Sequence, residues 1–317
     1  MVNKYKIQPK TFFIGVSCLY ALSIVFLFVH ERTIDTVACT SIRAMRATVQ
    51  ENTQKAVSKE IEATAFYVYD FTDDVVLLQK EQMKPLPLAS LSKILVARMA
   101  LARLGLEKTY TIEQSDLDRY GDTGFRLGET YTVSNLITAA LVPSSNDGTA
   151  ALMHAMGYRR EEFAKVATAR ASELGFTSFS FQNSTGLDLD NNSPSNIGSA
   201  QDITHLLYTT WKKFPSVIER STQVRTSITS VDGHVIEYDN TNVLAGTIPL
   251  LIASKTGYTQ SAGGNLSVLW RTPDGKILGA TLLGSSLEGR FSDMKRLIAS
   301  GSLVASIYQN KTLLACN

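Results

Sequence analysis

Cysteine and histidine are scarce: 317 residues hold three of the first and four of the second. Cys18, Cys39 and Cys316, with His30, His154, His205 and His234, nowhere fall at the spacings that ligate a metal, so no metal site and no cofactor are expected. An excess of one charge is also lacking. The net charge of +2 gives no reason to expect nucleic acid or any strongly charged partner. Internal repeats and long low-complexity segments are absent. What remains is a globular composition, 44% hydrophobic and 19% charged, with ample material for one large domain or two smaller ones.

Charge is missing altogether from residues 11–29. At about 1.5 Å per residue these nineteen positions come close to the ~30 Å of a bilayer core. Lys4, Lys6 and Lys10 precede them, so the positive-inside rule keeps residues 1–10 in the cytoplasm and sends the rest out. A cleaved signal peptide is the alternative. The apolar run exceeds a usual signal core, and His30-Glu31-Arg32 follows in place of a small-x-small cleavage site. A lipoprotein signal at Cys39 fits less well, with Thr36 a poor match and the cysteine ten residues past the run. The expectation is a single-pass anchor with an extracytoplasmic domain, where Cys39 and Cys316 meet oxidising conditions and could pair.

Residues 30–60 are polar and helix-compatible, with Ile42, Met45 and Val49 at helical intervals; they read as a juxtamembrane stalk or as a first helix packed on the domain. The folded domain is expected over 61–317. Ala65–Asp70 and Val75–Gln79 form a hairpin signal, followed by a helix from Ser90 to near Gly105. Tyr110–Ile112 reads as a short strand. Helical periods cover Val133–Leu141, Thr149–Met156, Arg160–Leu174 and Gln201–Lys212. Strand patterns then return at Val224–Ser230, His234–Tyr238, Leu250–Ala253, Gly264–Arg271 and Ile277–Leu283, before a closing helix over Arg290–Tyr308. Strands at both ends with helices between them predict an α+β domain whose antiparallel sheet joins its first and last segments.

Three short patterns stand in order along this layout. In Ser90-Leu91-Ser92-Lys93, a hydroxyl and an amine share one face at the start of a helix, as a nucleophile and its base would. Alone this is weak. A serine there is commonly an N-cap, and Ser292-Asp293-Met294-Lys295 repeats the spacing on what reads as an exposed helical face. Ser144-Ser145-Asn146-Asp147 lies in a turn between helices, where such residues usually serve local backbone bonds. Lys255-Thr256-Gly257-Tyr258 lies on a late strand, where a polar residue and a glycine bulge would be unexceptional. Each pattern is cheap by chance, but the ordered trio, in helix, loop and strand, is the set shared by penicillin-binding proteins and class A β-lactamases.

From about residue 62 to 309 the chain resembles the D-alanyl-D-alanine carboxypeptidase family, the low-molecular-mass penicillin-binding proteins of β-lactamase/transpeptidase-like fold. Pro87–Lys93 is similar to that family's active-serine segment and Ser144–Asp147 to its Ser-Gly-Asn-Asp turn. Asn183–Asp188 resembles its Asn-x-x-Gly-Leu-Asp loop, and Asn240–Leu244 its Asn-x-Asn segment. Lys255–Thr259 with Ala262-Gly263 resembles its Lys-Thr-Gly region, and Leu283-Gly284 with Arg290-Phe291 its closing strand and helix. The resemblance implies that Ser90 attacks the D-Ala-D-Ala carbonyl, Lys93 acts as general base, Ser144 relays a proton and Asn146 holds substrate and Lys93. It further implies a backbone oxyanion hole at Ser90 and Tyr258, positive potential from Lys255, and substrate binding by Thr256, Gly257 and Arg290, with Thr256 and Arg290 on the terminal carboxylate. The expected partners are the peptidoglycan pentapeptide and β-lactams acting as covalent inhibitors.

Two departures are visible. Ser145 stands where the family usually has glycine, and no carboxy-terminal β-domain or amphipathic helix follows, so tethering is expected at the amino end. Three other readings stay open: a D,D-endopeptidase on the same scaffold, a class A-like β-lactamase, and a non-catalytic wall-binding module. Asn183–Asp188 in place of a Glu-x-x-x-Asn loop argues against the β-lactamase, and the intact trio argues against lost chemistry.

Overall fold

The computed structural model describes residues 39–117 and 123–308. The expected cytoplasmic tip and the 11–29 anchor lie outside the described residues, as do Cys18 and Cys316. The chain divides into two compact units, Met1–Asn52 with Ser306–Asn317, and Thr53–Ala305. In the described part of the first, Arg46 Nε donates to Ile307 O at 3.2 Å, and its guanidinium lies over the Tyr308 ring. The Tyr308 hydroxyl donates to Gln50 Oε1 at 2.9 Å, and Cys39 is disulfide-bonded.

Helix α1 covers residues 39–60. From Thr53 on it belongs to the second unit, where Val57 is buried and Gln54 Oε1 accepts from Gln79 N at 2.8 Å. After it come β1 (Ala65–Asp70), β2 (Val75–Lys80), β3 (Leu86–Pro87) and a 3-10 turn (Ala89–Ser92), then α2 (Lys93–Arg103), β4 (Thr109–Thr111) and α3 (Gln114–Leu117). Next are β5 (Thr130–Thr132), α4 (Val133–Leu141), α5 (Asn146–Ala155), α6 (Arg160–Glu173), β6 (Ile197–Gly198), α7 (Ala200–Lys213) and α8 (Pro215–Ile218). A hairpin of β7 (Arg225–Thr229) and β8 (Val235–Asp239) precedes β9 (Leu251–Thr259), β10 (Gly263–Arg271), β11 (Ile277–Ser285) and α9 (Gly289–Ile307).

The main sheet is antiparallel in the order β2-β1-β11-β10-β9, with Ala65 opposite Leu283 and Asp70 opposite Leu278. The first and last segments thus share one sheet, as the strand pattern implies. Both faces are covered, which is why β10 and β11 are buried at nearly every position rather than at alternate ones. On one face α7 sets Thr204 against Gly279, and its hydroxyl bonds Thr281 at 2.8 Å. On the other, Gly301 of α9 lets that helix close on Val68 and Trp270. Asp293, two residues from the similarly buried Phe291, is wholly buried and accepts from Ala63 N, Glu62 N and the Ser285 hydroxyl. Ser292 and Lys295 of the second Ser-x-x-Lys are exposed on the opposite side.

Helix α2 is buried over its first turns, with Ile94, Leu95, Val96 and Ala97 at zero exposure, and packs against α4, α5, α6 and α7. Its first residue, Lys93, is buried with these turns.

Candidate active site

The helix expected to begin at Ser90 instead starts at Lys93, and Ser90 sits half-buried in the 3-10 turn ahead of it. That turn is strained: Ala89 takes φ +48°, a left-handed value costly for a residue with a Cβ. Buried Leu88 and Leu91, with a 2.8 Å bond from Ser92 Oγ to Ala89 O, hold it in place. Asn265 Nδ2 braces it from the sheet by donating to Pro87 O at 2.9 Å.

Lys93 is fully buried, and desolvation brings its amine down from 10.5 to about 7, against the opposing pull of the Asp147 carboxylate. Its Nζ donates to Ser144 O (2.5 Å) and Asn146 Oδ1 (2.7 Å), with Ser144 Oγ at 3.4 Å. Ser144 itself stands at φ +66°, a second left-handed residue in the site, which turns its carbonyl to Lys93. Its hydroxyl accepts at 2.7 Å from Lys255 Nζ, so one oxygen lies between two lysines.

Lys255 is on β9, the edge strand, and is as buried as Lys93. Burial, the neighbouring Lys93 and then Arg290 push its amine well below the usual lysine range. A positive charge on Lys255 is disfavoured while Lys93 is charged, because two desolvated amines beside one hydroxyl cannot both ionise cheaply. An incoming carboxylate would reverse that balance.

Gly257 brings β9 against the nucleophile turn: a Cβ there would meet Leu88 O at 2.9 Å and Ala89 Cβ and Leu91 N at 3.3 Å. The Gly257 carbonyl accepts from Arg290 Nη1 at 2.9 Å. Arg290 is 8% exposed, and its Nε has no partner among the described residues, an unusual state for a buried guanidinium. Thr256 shares a 2.6 Å hydroxyl bond with Thr241, which also donates to Val142 O, so the Asn240–Leu244 segment ties β9 to the turn before α5. Tyr258 is half-exposed at the end of the edge strand. A free strand edge is suited to an extended peptide backbone.

Lys93, Ser144, Asn146 and Lys255 thus meet through direct hydrogen bonds, with Ser90 on the turn between them and Gly257. Ser145 has φ −51°, which needs no glycine. Its hydroxyl accepts from Gly148 N (2.9 Å), capping α5, and pairs with Thr123 Oγ1 (2.7 Å). Sequence reasoning missed Thr123 and Asn265. Asn and Thr in loops and strands give no signal that separates a long-range brace from a local turn former.

A family model described as D-alanyl-D-alanine carboxypeptidase matches residues 49–282, most of the chain. This chain belongs to that family. Over 208 residues it is 32% identical to a D-alanyl-D-alanine endopeptidase of Haemophilus influenzae, covering 64% of this chain and 69% of that protein. A D-alanyl-D-alanine carboxypeptidase of Mycobacterium tuberculosis is 28% identical over 201 residues, 63% of this chain and 67% of that one. Among solved structures, a penicillin-binding protein of Listeria monocytogenes with ampicillin bound superposes at TM-score 0.65 and 25% identity, covering 76% of this chain and 98% of that one. The α+β, transpeptidase-like fold agrees with the architecture inferred from the sequence.

Proposed function

We propose that the chain is a serine-type D-alanyl-D-alanine carboxypeptidase that releases the terminal D-alanine of peptidoglycan stem pentapeptides through an acyl-enzyme and is acylated by β-lactams. The observation that carries this reading is Lys93: an interior amine brought to about 7, one turn past Ser90 and bonded to Ser144 and Asn146. Ser90 Oγ attacks the carbonyl carbon as its proton passes to neutral Lys93. The N–H groups of Ser90 and Tyr258 hold the resulting oxyanion, a term often worth several kcal/mol. Collapse breaks the C–N bond, and the proton on Lys93 reaches the departing amine by way of the Ser144 hydroxyl. Water then hydrolyses the ester. The substrate carboxylate binds at Arg290, whose planar fork suits it, with Thr256 alongside and Lys255 protonated in response.

The family membership supports this reading over a wall-binding module. The Asn183–Asp188 loop, which contains no glutamate to hold a deacylating water, supports it over a class A-like β-lactamase. Incubation with a pentapeptide should release free D-alanine catalytically and leave a cross-linked peptide dimer largely intact. Faster cleavage of the dimer would instead make the protein an endopeptidase, as its Haemophilus relative is named.

Residues 11–29 are proposed to anchor the protein in the cell membrane, with the amino end cytoplasmic and the catalytic unit outside. The uncharged stretch and the preceding Lys4, Lys6 and Lys10 support this. No described helix is long and apolar enough to cross a membrane. Full-length protein should stay with membranes through carbonate washing and dissolve only in detergent; release by carbonate would overturn the anchor.

A further inference from the structure

The Asn183–Asp188 loop touches no reacting group, yet it joins the two halves of the proposed oxyanion hole. At one end Gly186, at φ +80°, lies so close to the nucleophile turn that a Cβ would stand 2.1 Å from Ala89 O and 2.7 Å from Ser92 Oγ. Asn183 stiffens the loop, accepting from Gly186 N at 2.7 Å and donating to Leu187 O at 2.9 Å. Asn196 fastens it to the same turn: its side chain bonds Asn183 N and O, while its carbonyl accepts from Leu88 N.

At the other end Asp188 receives three hydrogen bonds from the β9–β10 turn: Thr259 Oγ1 at 2.9 Å, Ser261 Oγ at 2.5 Å and Ser261 N at 3.2 Å. Tyr258 immediately precedes these residues. Its own restraints are weak. It is half-exposed near a strand end, and its cross-strand partner on β10 is Gly264, which offers no side chain for packing.

We propose that Asp188 is a positioning residue: by holding the Thr259–Ser261 turn, it fixes the Tyr258 amide relative to the Ser90 turn and so sets the width of the oxyanion hole. The inference rests on the serine-peptidase reading above. Donors to an oxyanion work within a few tenths of an ångström, so a released strand end weakens binding of the tetrahedral state and leaves ground-state binding alone.

The test uses the full chain and three probes. These are a fluorescent penicillin, an alkyl boronic acid to which Ser90 Oγ adds as a tetrahedral adduct, and a pentapeptide analogue with methylene in place of the scissile carbonyl. In Asp188→Ala, boronate affinity and acylation rate should fall together by roughly ten- to hundredfold, with methylene-analogue affinity kept within about twofold. The paired change Thr259→Val with Ser261→Ala should reproduce the loss from the other side, and combining all three should add little. This pair also answers the question should Asp188→Ala fail to fold. Unchanged boronate affinity, equal weakening of boronate and methylene analogue, or fully multiplying effects would each overturn the proposal. A wild-type protein that takes up neither penicillin nor boronate would instead overturn the serine-peptidase reading.

Discussion

Ser90→Ala is expected to abolish covalent labelling by penicillin and to lower D-alanine release by a factor of about 10⁴ or more, the usual cost of removing an acyl-transfer nucleophile. The fold should survive the change. Ser90 is half-buried, and the strain of its turn sits at Ala89, whose φ of +48° is set by Leu88, Leu91 and the Ser92–Ala89 bond. The variant should therefore unfold within a few degrees of wild type while giving no fluorescent band. Labelling retained in a well-folded Ser90→Ala protein would move the nucleophile elsewhere.

The second large effect is the pH dependence set by Lys93. A base must be unprotonated to accept the Ser90 proton, and the Lys93 amine titrates at about 7. The acylation rate should rise with pH through that value and fall by about tenfold for each unit below it. Because Lys93 and Lys255 flank the same Ser144 hydroxyl, the observed midpoint belongs to the pair. Lys93→Arg, which keeps the charge but cannot release a proton, should lose about 10³ or more in rate at every pH. Stability should move as well. Between about 7 and 10.5 the unfolded Lys93 holds a proton that the folded one does not, so wild-type stability rises with pH across this window. The penalty for burying Lys93 is complete below 7, and a Lys93→Met variant should be more stable there by about a few kcal/mol. Acylation that stays flat from pH 5 to 8 would remove Lys93 from the base role.

The long elements were legible because their pattern is local. Val133–Leu141 is a helix with the expected ends, and the strand runs at Ala65–Asp70 and Gly264–Arg271 hold within a residue. Two-residue strands such as Leu86–Pro87 and Ile197–Gly198 have no periodicity to read, since their pairing is decided wholly by tertiary contacts. The start of α2 was misread for a related reason. A serine before an apolar helix looks like a cap, but Ala89 takes a left-handed φ and Ser90 lies in a 3-10 turn that runs directly into α2. The types of the site residues were visible, but their charge states were not. Nothing in Lys-Ile-Leu-Val says that the lysine heads an interior helix, and the competition with Lys255 depends on a contact between residues far apart in the chain.

The pairing of β1 with β11 also governs when the protein can begin to function. As a chain is synthesised, the segment with Ser90 appears early, with β1 paired only to β2, while its other neighbour, β11, is complete only when residues near Ser285 have followed. Such distant pairing makes assembly slow and leaves the early strands exposed to wrong partners meanwhile. No reactive serine is completed early, so hydrolysis can start only once nearly the whole catalytic unit has been made.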